Sequence, residues 1–236
     1  MQQLAARMRN HATSNQAGWS TPVTFGLVLL VCLGMIVQLL AGIEHRQQLA
    51  DMFGVHAQNW NWLAPQSYLT LLTNSFLHGS ATHFIGNVSI LLLLGVVVEK
   101  RVNRYAFIAA WFVSSVIAGL AHVLLFPDVT APLIGASGGV AGLMGVGLFA
   151  CRDVHLPLRL GQLRFALPLW APITLWAAFQ GYKFIELGLL TQTPSTVAYW
   201  SHVAGFTAGA IALIGARFVL RRLPERPSAL PVSIGD

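Results

Sequence analysis

The sequence predicts an all-α membrane protein with six transmembrane helices and with both chain ends in the cytoplasm. This prediction rests on the composition, on six apolar segments and on the placement of the basic residues. Of the 236 residues, 55% are hydrophobic and only 9% are charged. Soluble domains contain about a quarter charged residues, so the composition excludes an ordinary soluble protein.

The chain contains six segments that approach the ~20 apolar residues needed to cross a bilayer. They are 22–43, 79–98, 105–126, 136–151, 166–186 and 197–219. The fourth is short and begins on glycines, so we expect its outer end to lie below the membrane surface. The fifth is rich in aromatic rings, most of which we expect to contact lipid or to anchor the helix at the interface: Trp170, Trp176, Phe179, Tyr182 and Phe184.

The longest connection between these segments is the loop 44–77. It carries Trp60, Trp62 and Tyr68, whose amphipathic rings prefer the membrane interface. We expect this loop to dip into the outer leaflet, and a small extracellular subdomain is the alternative.

The basic residues set the predicted orientation. If the chain starts in the cytoplasm, 12 of the 14 Lys and Arg residues fall on the cytoplasmic side, and only Arg46 and Lys183 do not. Cytoplasmic loops of membrane proteins carry such an excess of positive charge, which indicates that both ends are inside. The net charge of +6 is divided among loop ends, which argues against a nucleic acid as partner.

The predicted domain organisation is simple. Residues 1–20 are a short cytoplasmic tail without the hydrophobic region of a signal peptide. Residues 21–223 form one six-helix domain, and residues 224–236 form a disordered cytoplasmic tail. Cys32 and Cys151 lie at different depths in the membrane, so we expect two ordinary thiols and no disulfide.

Ser137 is the most informative residue. It lies in Gly135-Ala136-Ser137-Gly138, where the fourth segment begins. The first backbone N–H groups of a helix have no partner in that helix, and the helix dipole favours negative charge there. The position therefore suits a nucleophile that generates an oxyanion. The alternative is that these small residues serve close helix packing alone.

A histidine in the sixth segment is the candidate partner of this serine. His202, Gly205 and Gly209 are spaced so that they share one helix face. Glycines on that face would let the helix approach the fourth one and bring the imidazole near Ser137. The sequence thus predicts a serine nucleophile with its general base. A packed, hydrogen-bonded structural histidine is the alternative.

The second segment carries a further polar pair, His83 and Asn87, one helical turn apart. Imidazole and carboxamide N–H groups are suitable donors to a developing oxyanion, and a polar clamp between helices is the alternative. His78 could join His83 and His202 in a metal site. No acidic group lies nearby to act as base, and no metalloprotease motif occurs, so we predict neither metal nor cofactor.

These motifs together resemble the rhomboid family of intramembrane serine proteases. His78-x4-His83-x3-Asn87, Gly135-Ala136-Ser137-Gly138 and Ser201-His202-x2-Gly205-x3-Gly209 occur in order on the second, fourth and sixth segments. Leu72-Thr73-x2-Phe76-Leu77-His78 also looks like the family's approach to the second segment. Each motif alone is weak, but three in order on six spans are specific. The resemblance covers about residues 22–220.

The resemblance implies a catalytic dyad without a carboxylate, with Ser137 as nucleophile and His202 as general base. His83, Asn87 and the Ser137 backbone N–H would form the oxyanion site, and His78 would support the first loop. Gly135, Gly138, Gly205 and Gly209 would be supporting residues. The expected activity is cleavage of a peptide bond in or near a transmembrane segment of a protein substrate, through an acyl-enzyme.

The expected partners are that substrate and the lipid bilayer. The expected location is a bacterial cytoplasmic membrane, with the active site open to the outer side.

The sequence departs from the family's pattern in two places. Ala141 stands where an aromatic ring often stacks on the catalytic histidine, and Leu69 and Thr70 stand where Trp-Arg is frequent. The histidine must then be oriented by another group or be held more loosely. A catalytically weak or inactive rhomboid-like binding module is therefore the alternative function. A transporter would carry more ionisable groups along several segments.

Overall fold

The computed structural model describes residues 21–191, 195 and 197–222. The two predicted tails, 1–20 and 224–236, lie outside the described residues. Within that part of the chain the protein is mainly helical, with eight α-helices and one two-stranded antiparallel sheet. The helices are α1 Pro22–Ala41, α2 Ile43–Phe53, α3 Pro65–Thr73, α4 Ala81–Glu99, α5 Arg104–Leu125, α6 Ser137–Ala150, α7 Trp170–Lys183 and α8 Tyr199–Arg222.

Shorter elements complete the description. A 3₁₀ turn, Asn74–Phe76, follows α3, and a π-helical segment, Phe184–Leu190, extends α7. The strands β1 His155–Leu160 and β2 Leu163–Pro168 form a hairpin between α6 and α7.

Helix α6 lies at the centre of the bundle. Its ten consecutive residues from Gly138 to Gly147 are all buried, and it packs against α4, α5, α7 and α8. A helix enclosed on every side needs small or apolar residues all round, and this helix has no other kind after Ser137. Phe107 and Trp111 from α5 are fully buried against it and fill the core.

The helices around α6 expose apolar side chains on their outer faces. Leu40 of α1 and Leu93 of α4 are 83% and 74% exposed. Helices α1, α4 and α5 are long and apolar enough to cross a membrane, and α6 is apolar but shorter. The chain is thus an integral membrane protein, and the count of six spans stays a prediction.

The fifth predicted segment began too early. Residues 163–168 form strand β2, and α7 begins only at Trp170. The prediction starts the helix at residue 166, whereas Leu163, Phe165 and Leu167 alternate with other residues at the period of a strand. The turn before them contains Gly161 at φ +61°, a conformation that favours glycine.

Two polar contacts tie segments together at the end of the bundle that carries the hairpin. The buried Glu99 carboxylate accepts hydrogen bonds from the Val23 and Thr24 backbone N–H groups, at 3.0 and 2.7 Å, and so caps the start of α1. Arg101 forms a bidentate pair with Asp153 in the loop after α6, and this hydrogen bonding lowers the pKa of the Asp153 carboxyl.

The loop 44–77 folds into helices α2 and α3 rather than into an irregular connection. Helix α3 packs on α5, with Leu71 buried beside Val55 and Val123. The Trp60 ring meets the rings of Trp62 and Tyr68 edge-on, with centroids 5.5 and 5.6 Å apart. The first loop is therefore a packed unit at the same end of the bundle as the start of α6.

Candidate active site

The site is built on the contact between α6 and α8, which run parallel. A Cβ placed on Gly205 would lie 2.5 Å from the Gly138 carbonyl oxygen, and one placed on Gly209 would meet the Gly142 carbonyl. Only glycine allows the two backbones to approach so closely. The sequence prediction that these glycines serve a helix contact is confirmed.

This contact sets the relative height of the two candidate catalytic residues. Ser137 is one residue before Gly138, and His202 is three residues before Gly205. At a rise of about 1.5 Å per residue, the two Cα atoms differ by roughly 3 Å along the paired helices. Both residues are half-buried. The fold therefore places them at the same depth, on adjoining helices.

Ser137 is the first residue of α6, as the sequence predicted. No side chain caps this end of the helix, so the first N–H groups are not taken up by a capping residue. The preceding Gly135 has φ +129°, which lets the chain turn sharply into the helix.

His83 lies against this turn. A Cβ on Gly135 would come within 2.5 Å of the His83 ring, so only a glycine leaves room for the imidazole beside the serine loop. His83 is near the start of α4, where its backbone N–H is bonded to the Ser80 hydroxyl at 3.1 Å. Asn87, one turn further, is buried and donates one amide N–H to the His83 carbonyl at 3.0 Å. Its second amide N–H is not used in that bond.

His78 lies in the connection before α4, where it contacts the turn that precedes Ser137. Its backbone exchanges two hydrogen bonds with the Gln38 side chain of α1, at 2.8 and 3.1 Å. Its Nε2 atom accepts from the Ala136 backbone N–H at 3.5 Å, and its ring meets that of His83 edge-on at 5.1 Å. His78 thus links α1, the start of α4 and the turn before Ser137.

The start of α8 is anchored to α5 by the two residues before His202. The Trp200 indole N–H donates to His122 Nδ1 at 3.3 Å, and the Ser201 hydroxyl donates to the Ala118 carbonyl at 3.0 Å. These bonds fix the height of α8 beside α6.

The His202 ring has a partner that the sequence analysis missed. Its Nδ1 atom lies 2.8 Å from the side-chain oxygen of Gln180, a buried residue of α7. Trp176, one turn earlier, lies with its ring centroid 5.8 Å from the imidazole. Trp176 is half-buried and packs against the core, whereas Trp170, Phe179 and Tyr182 of the same helix are exposed. The overlooked signal was a glutamine inside an apolar segment, which needs a polar partner there.

A family of known proteins matches most of this chain. The Rhomboid domain model matches residues 65–217, about two thirds of the chain. The chain belongs to the rhomboid family. Rhomboid proteins are intramembrane serine proteases, and the matched region extends from α3 into α8, so it includes Ser137, His202, His83, Asn87 and His78.

No curated protein is similar enough to this rhomboid sequence to add a named relative. Among residues 21–191, 195 and 197–222, no group of three or more His, Cys, Asp or Glu side chains is arranged to hold a metal ion.

Proposed function

We propose that this rhomboid protein is a serine endopeptidase that cleaves a peptide bond in or near a transmembrane segment of a substrate protein. Ser137 acts as the nucleophile and His202 as the general base. The observation that carries the proposal is the glycine contact of α6 with α8, which brings the serine and the histidine to one depth on adjoining helices.

The reaction proceeds in two halves. His202 accepts the hydroxyl proton while Ser137 Oγ attacks the carbonyl carbon of the substrate. The tetrahedral intermediate collapses with cleavage of the C–N bond, and the imidazolium gives its proton to the leaving amine. Water, activated by the same imidazole, then hydrolyses the ester that links the acyl group to Ser137 and restores the free hydroxyl.

The oxyanion of the intermediate needs preorganised donors. The Ser137 backbone N–H, the His83 ring and the free amide N–H of Asn87 are the proposed set, and the contact of His83 with Gly135 supports it. Each such donor typically contributes on the order of 10²–10³ in rate.

The substrate must be partly unwound at the cleavage site. In an α-helix every interior carbonyl accepts a backbone hydrogen bond, so its carbon is shielded from a nucleophile. We expect cleavage at a locally unwound segment with small or helix-breaking residues. Water for the second half enters from the outer side of the membrane.

The proposed topology has six spans with both ends in the cytoplasm, in a bacterial cytoplasmic membrane. Helices α7 and α8 would supply the fifth and sixth spans. In this orientation the hairpin between α6 and α7 is cytoplasmic and the start of α6 faces outward.

The experiment that tests the function is labelling with a fluorophosphonate, a reagent that reacts with activated serines. Purified protein in detergent is compared with Ser137→Ala and with His202→Ala, and thermal unfolding checks that each variant is folded. We expect labelling of the wild type and none of either variant, and the same two variants should not cleave a transmembrane substrate.

The alternative function predicts a different result. A rhomboid-like binding module would be folded but unlabelled in its wild-type form, and the small residue Ala141 would be the first suspect. Labelling that persists in Ser137→Ala would overturn the assignment of the nucleophile.

A further inference from the structure

The first inference concerns Gln180, and it rests on the proposed function of Ser137 and His202. A Ser–His dyad has no carboxylate to hold the imidazole, and Ala141 offers no ring to stack on it. Three side chains nevertheless contact the His202 imidazole. Trp176 and Tyr199 lie at centroid distances of 5.8 and 6.4 Å, and Gln180 bonds to Nδ1.

We propose that Gln180 is a positioning residue that selects the tautomer of His202. The side-chain oxygen of Gln180 accepts a hydrogen bond, so the Nδ1 atom that faces it carries the proton. The lone pair of the neutral ring is then on Nε2, which is the form able to take a proton from Ser137. In the opposite tautomer Nε2 would carry the proton and could not accept one from Ser137.

The burial of Gln180 strengthens its preference for one tautomer of His202. Gln180 is only 6% exposed, so its amide has little access to water as a substitute partner. A buried polar group without a partner is costly, which favours keeping the amide and the imidazole together. The bond also spans two helices, because Gln180 is on α7 and His202 is on α8. The position of α7 therefore affects the orientation and the tautomer of His202.

Three variants test the role of Gln180. Gln180→Leu removes the acceptor at similar size, Gln180→Glu keeps an acceptor but adds a charge, and Leu175→Ala changes an exposed residue of the same helix as control. The measurement is the rate of fluorophosphonate labelling across pH, together with thermal unfolding of each protein.

We expect Gln180→Leu to label about 10²-fold more slowly than the wild type, because a misplaced base costs on the order of that factor. We expect Gln180→Glu to retain labelling but with its acid limb moved to higher pH, since a carboxylate stabilises the imidazolium. Tyr199 also faces His202, and His83 lies against Gly135 near Ser137; both are unchanged in every variant. Leu175→Ala should label like the wild type.

The outcomes separate this proposal from the function itself. If the wild type labels, and the leucine and glutamate variants follow its rate and pH profile, the positioning role of Gln180 is wrong and the dyad stands. If the wild type does not label at all, the proposed function fails first. Should the leucine variant not fold, the pH profile of the glutamate variant decides.

The second inference concerns the hairpin β1–β2 and rests on independent observations. Leu158 pairs with Phe165, and Arg159 pairs with Arg164. Because side chains alternate along a strand, Leu158, Phe165 and Leu163 share one face and the two arginines share the other. The three apolar side chains are 39%, 44% and 62% exposed.

An anion bound between Arg159 and Arg164 would reduce the repulsion between their positive charges. Like charges directly across a strand pair destabilise it, and neither arginine forms an ion pair with another described residue. Arg159 only donates from Nε to the Gly161 carbonyl at 2.9 Å. Both guanidinium groups are exposed, and guanidinium is well suited to bidentate contacts with phosphate.

The hairpin connects the apolar helix α6 with α7, the proposed fourth and fifth spans. Four residues separate it from the end of α6, and it precedes α7, whose first residue, Trp170, is 45% exposed. Beside it a cavity of about 340 Å³ is lined by Leu148, Arg152 and Trp170. Tryptophan and arginine at the end of an apolar helix are typical of the headgroup region.

We infer that this hairpin docks into the headgroup layer of an anionic bilayer. Its apolar face lies toward the acyl chains, and Arg159 and Arg164 bind lipid phosphates. The amphipathic pattern is that of an interfacial element, which combines apolar burial with attraction to anionic lipid.

The depth of each face can be measured directly. Single cysteines, Leu163→Cys on the apolar face and Ala166→Cys on the arginine face, are introduced after Cys32 and Cys151 are replaced by serine. Each carries a fluorophore in protein reconstituted into vesicles whose lipids have brominated acyl chains. We expect strong quenching at position 163 and weak quenching at 166. Equal quenching, or crosslinking of position 163 to a second copy without quenching, would overturn the inference.

The charge contribution is tested by lipid preference. The retention of phosphatidylglycerol over phosphatidylcholine is measured for the wild type, for the Arg159→Gln/Arg164→Gln double variant and for Arg104→Gln as an arginine control outside the hairpin. We expect a loss of about fivefold in preference per hairpin arginine. An unchanged preference in the double variant would show that the arginines bind no lipid.

Discussion

At the scale of single residues, the candidate site depends on which polar groups share one depth. Ser137 begins α6, His202 follows two residues anchored to α5, and His83 lies against Gly135. Each side chain is held by a different element, so the site exists only while these elements pack together. Effects of substitutions on rate are not additive at such a site, because its groups act as one unit.

The oxyanion role of Asn87 gives the first residue-scale prediction. Asn87→Ala removes one amide donor, and we expect kcat for a transmembrane substrate to fall by about 10²–10³. The loss should be smaller than that of Ser137→Ala, because the nucleophile remains. Ser89→Ala, an exposed position on the same helix, is the control and should retain its rate. A wild-type rate for Asn87→Ala would remove Asn87 from the oxyanion site.

At the scale of elements, the contact of α6 with α8 decides whether the site exists. A Cβ on Gly209 would meet the Gly142 carbonyl oxygen, carbon and Cα, all of them backbone atoms that cannot rotate away. The only relief is separation of the helices. Separation would also move His202 away from Ser137, so stability and activity are coupled at this contact.

This coupling predicts the effect of adding one methyl group to α8. We expect Gly209→Ala to lower the free energy of unfolding by about 1–3 kcal/mol and to abolish labelling of Ser137. Gly215→Ala is the matched control, since a Cβ there meets nothing within 4 Å. The control should be as stable as the wild type or slightly more stable, because alanine favours helices over glycine. Thermal unfolding in detergent measures both, and equal melting of the two variants would contradict the argument.

The loop between α6 and α7 shows at the same scale why an element was missed. The prediction places these residues in a cytoplasmic connection, although the polarity of Leu158, Arg159, Leu163 and Arg164 alternates. Period-two alternation around a glycine turn predicts a hairpin. This alternation is present in the sequence, but it is shorter than the apolar segments that indicate membrane spans.

At the scale of the whole molecule, the orientation in the membrane determines which end of the bundle reaches substrate and water. The start of α6 and the hairpin lie at opposite ends of that helix. The distribution of Lys and Arg predicts that the hairpin end is cytoplasmic. The candidate site would then open to the outer side.

Accessibility to a membrane-impermeant maleimide tests this orientation in intact cells. In a background without Cys32 and Cys151, we expect Asp128→Cys, in the loop before α6, to react from outside. Gln162→Cys, in the hairpin turn, should react only after the cells are opened. Both positions are exposed, so a difference reports the side of the membrane. The reverse pattern would invert the proposed topology.

The sequence by itself determined the membrane class, the position of Ser137 at a helix start, the glycine face of α8 and the three motifs of the family. These features are local, because they depend on composition, on the periodicity of a helix and on the spacing of residues within each motif. Tertiary structure alone decided that Gln180 of α7 meets His202, that Trp176 packs inward and that Gln38 holds His78. Such pairs join residues far apart in the chain, and their contact depends on how the helices rotate and pack, which no local pattern encodes.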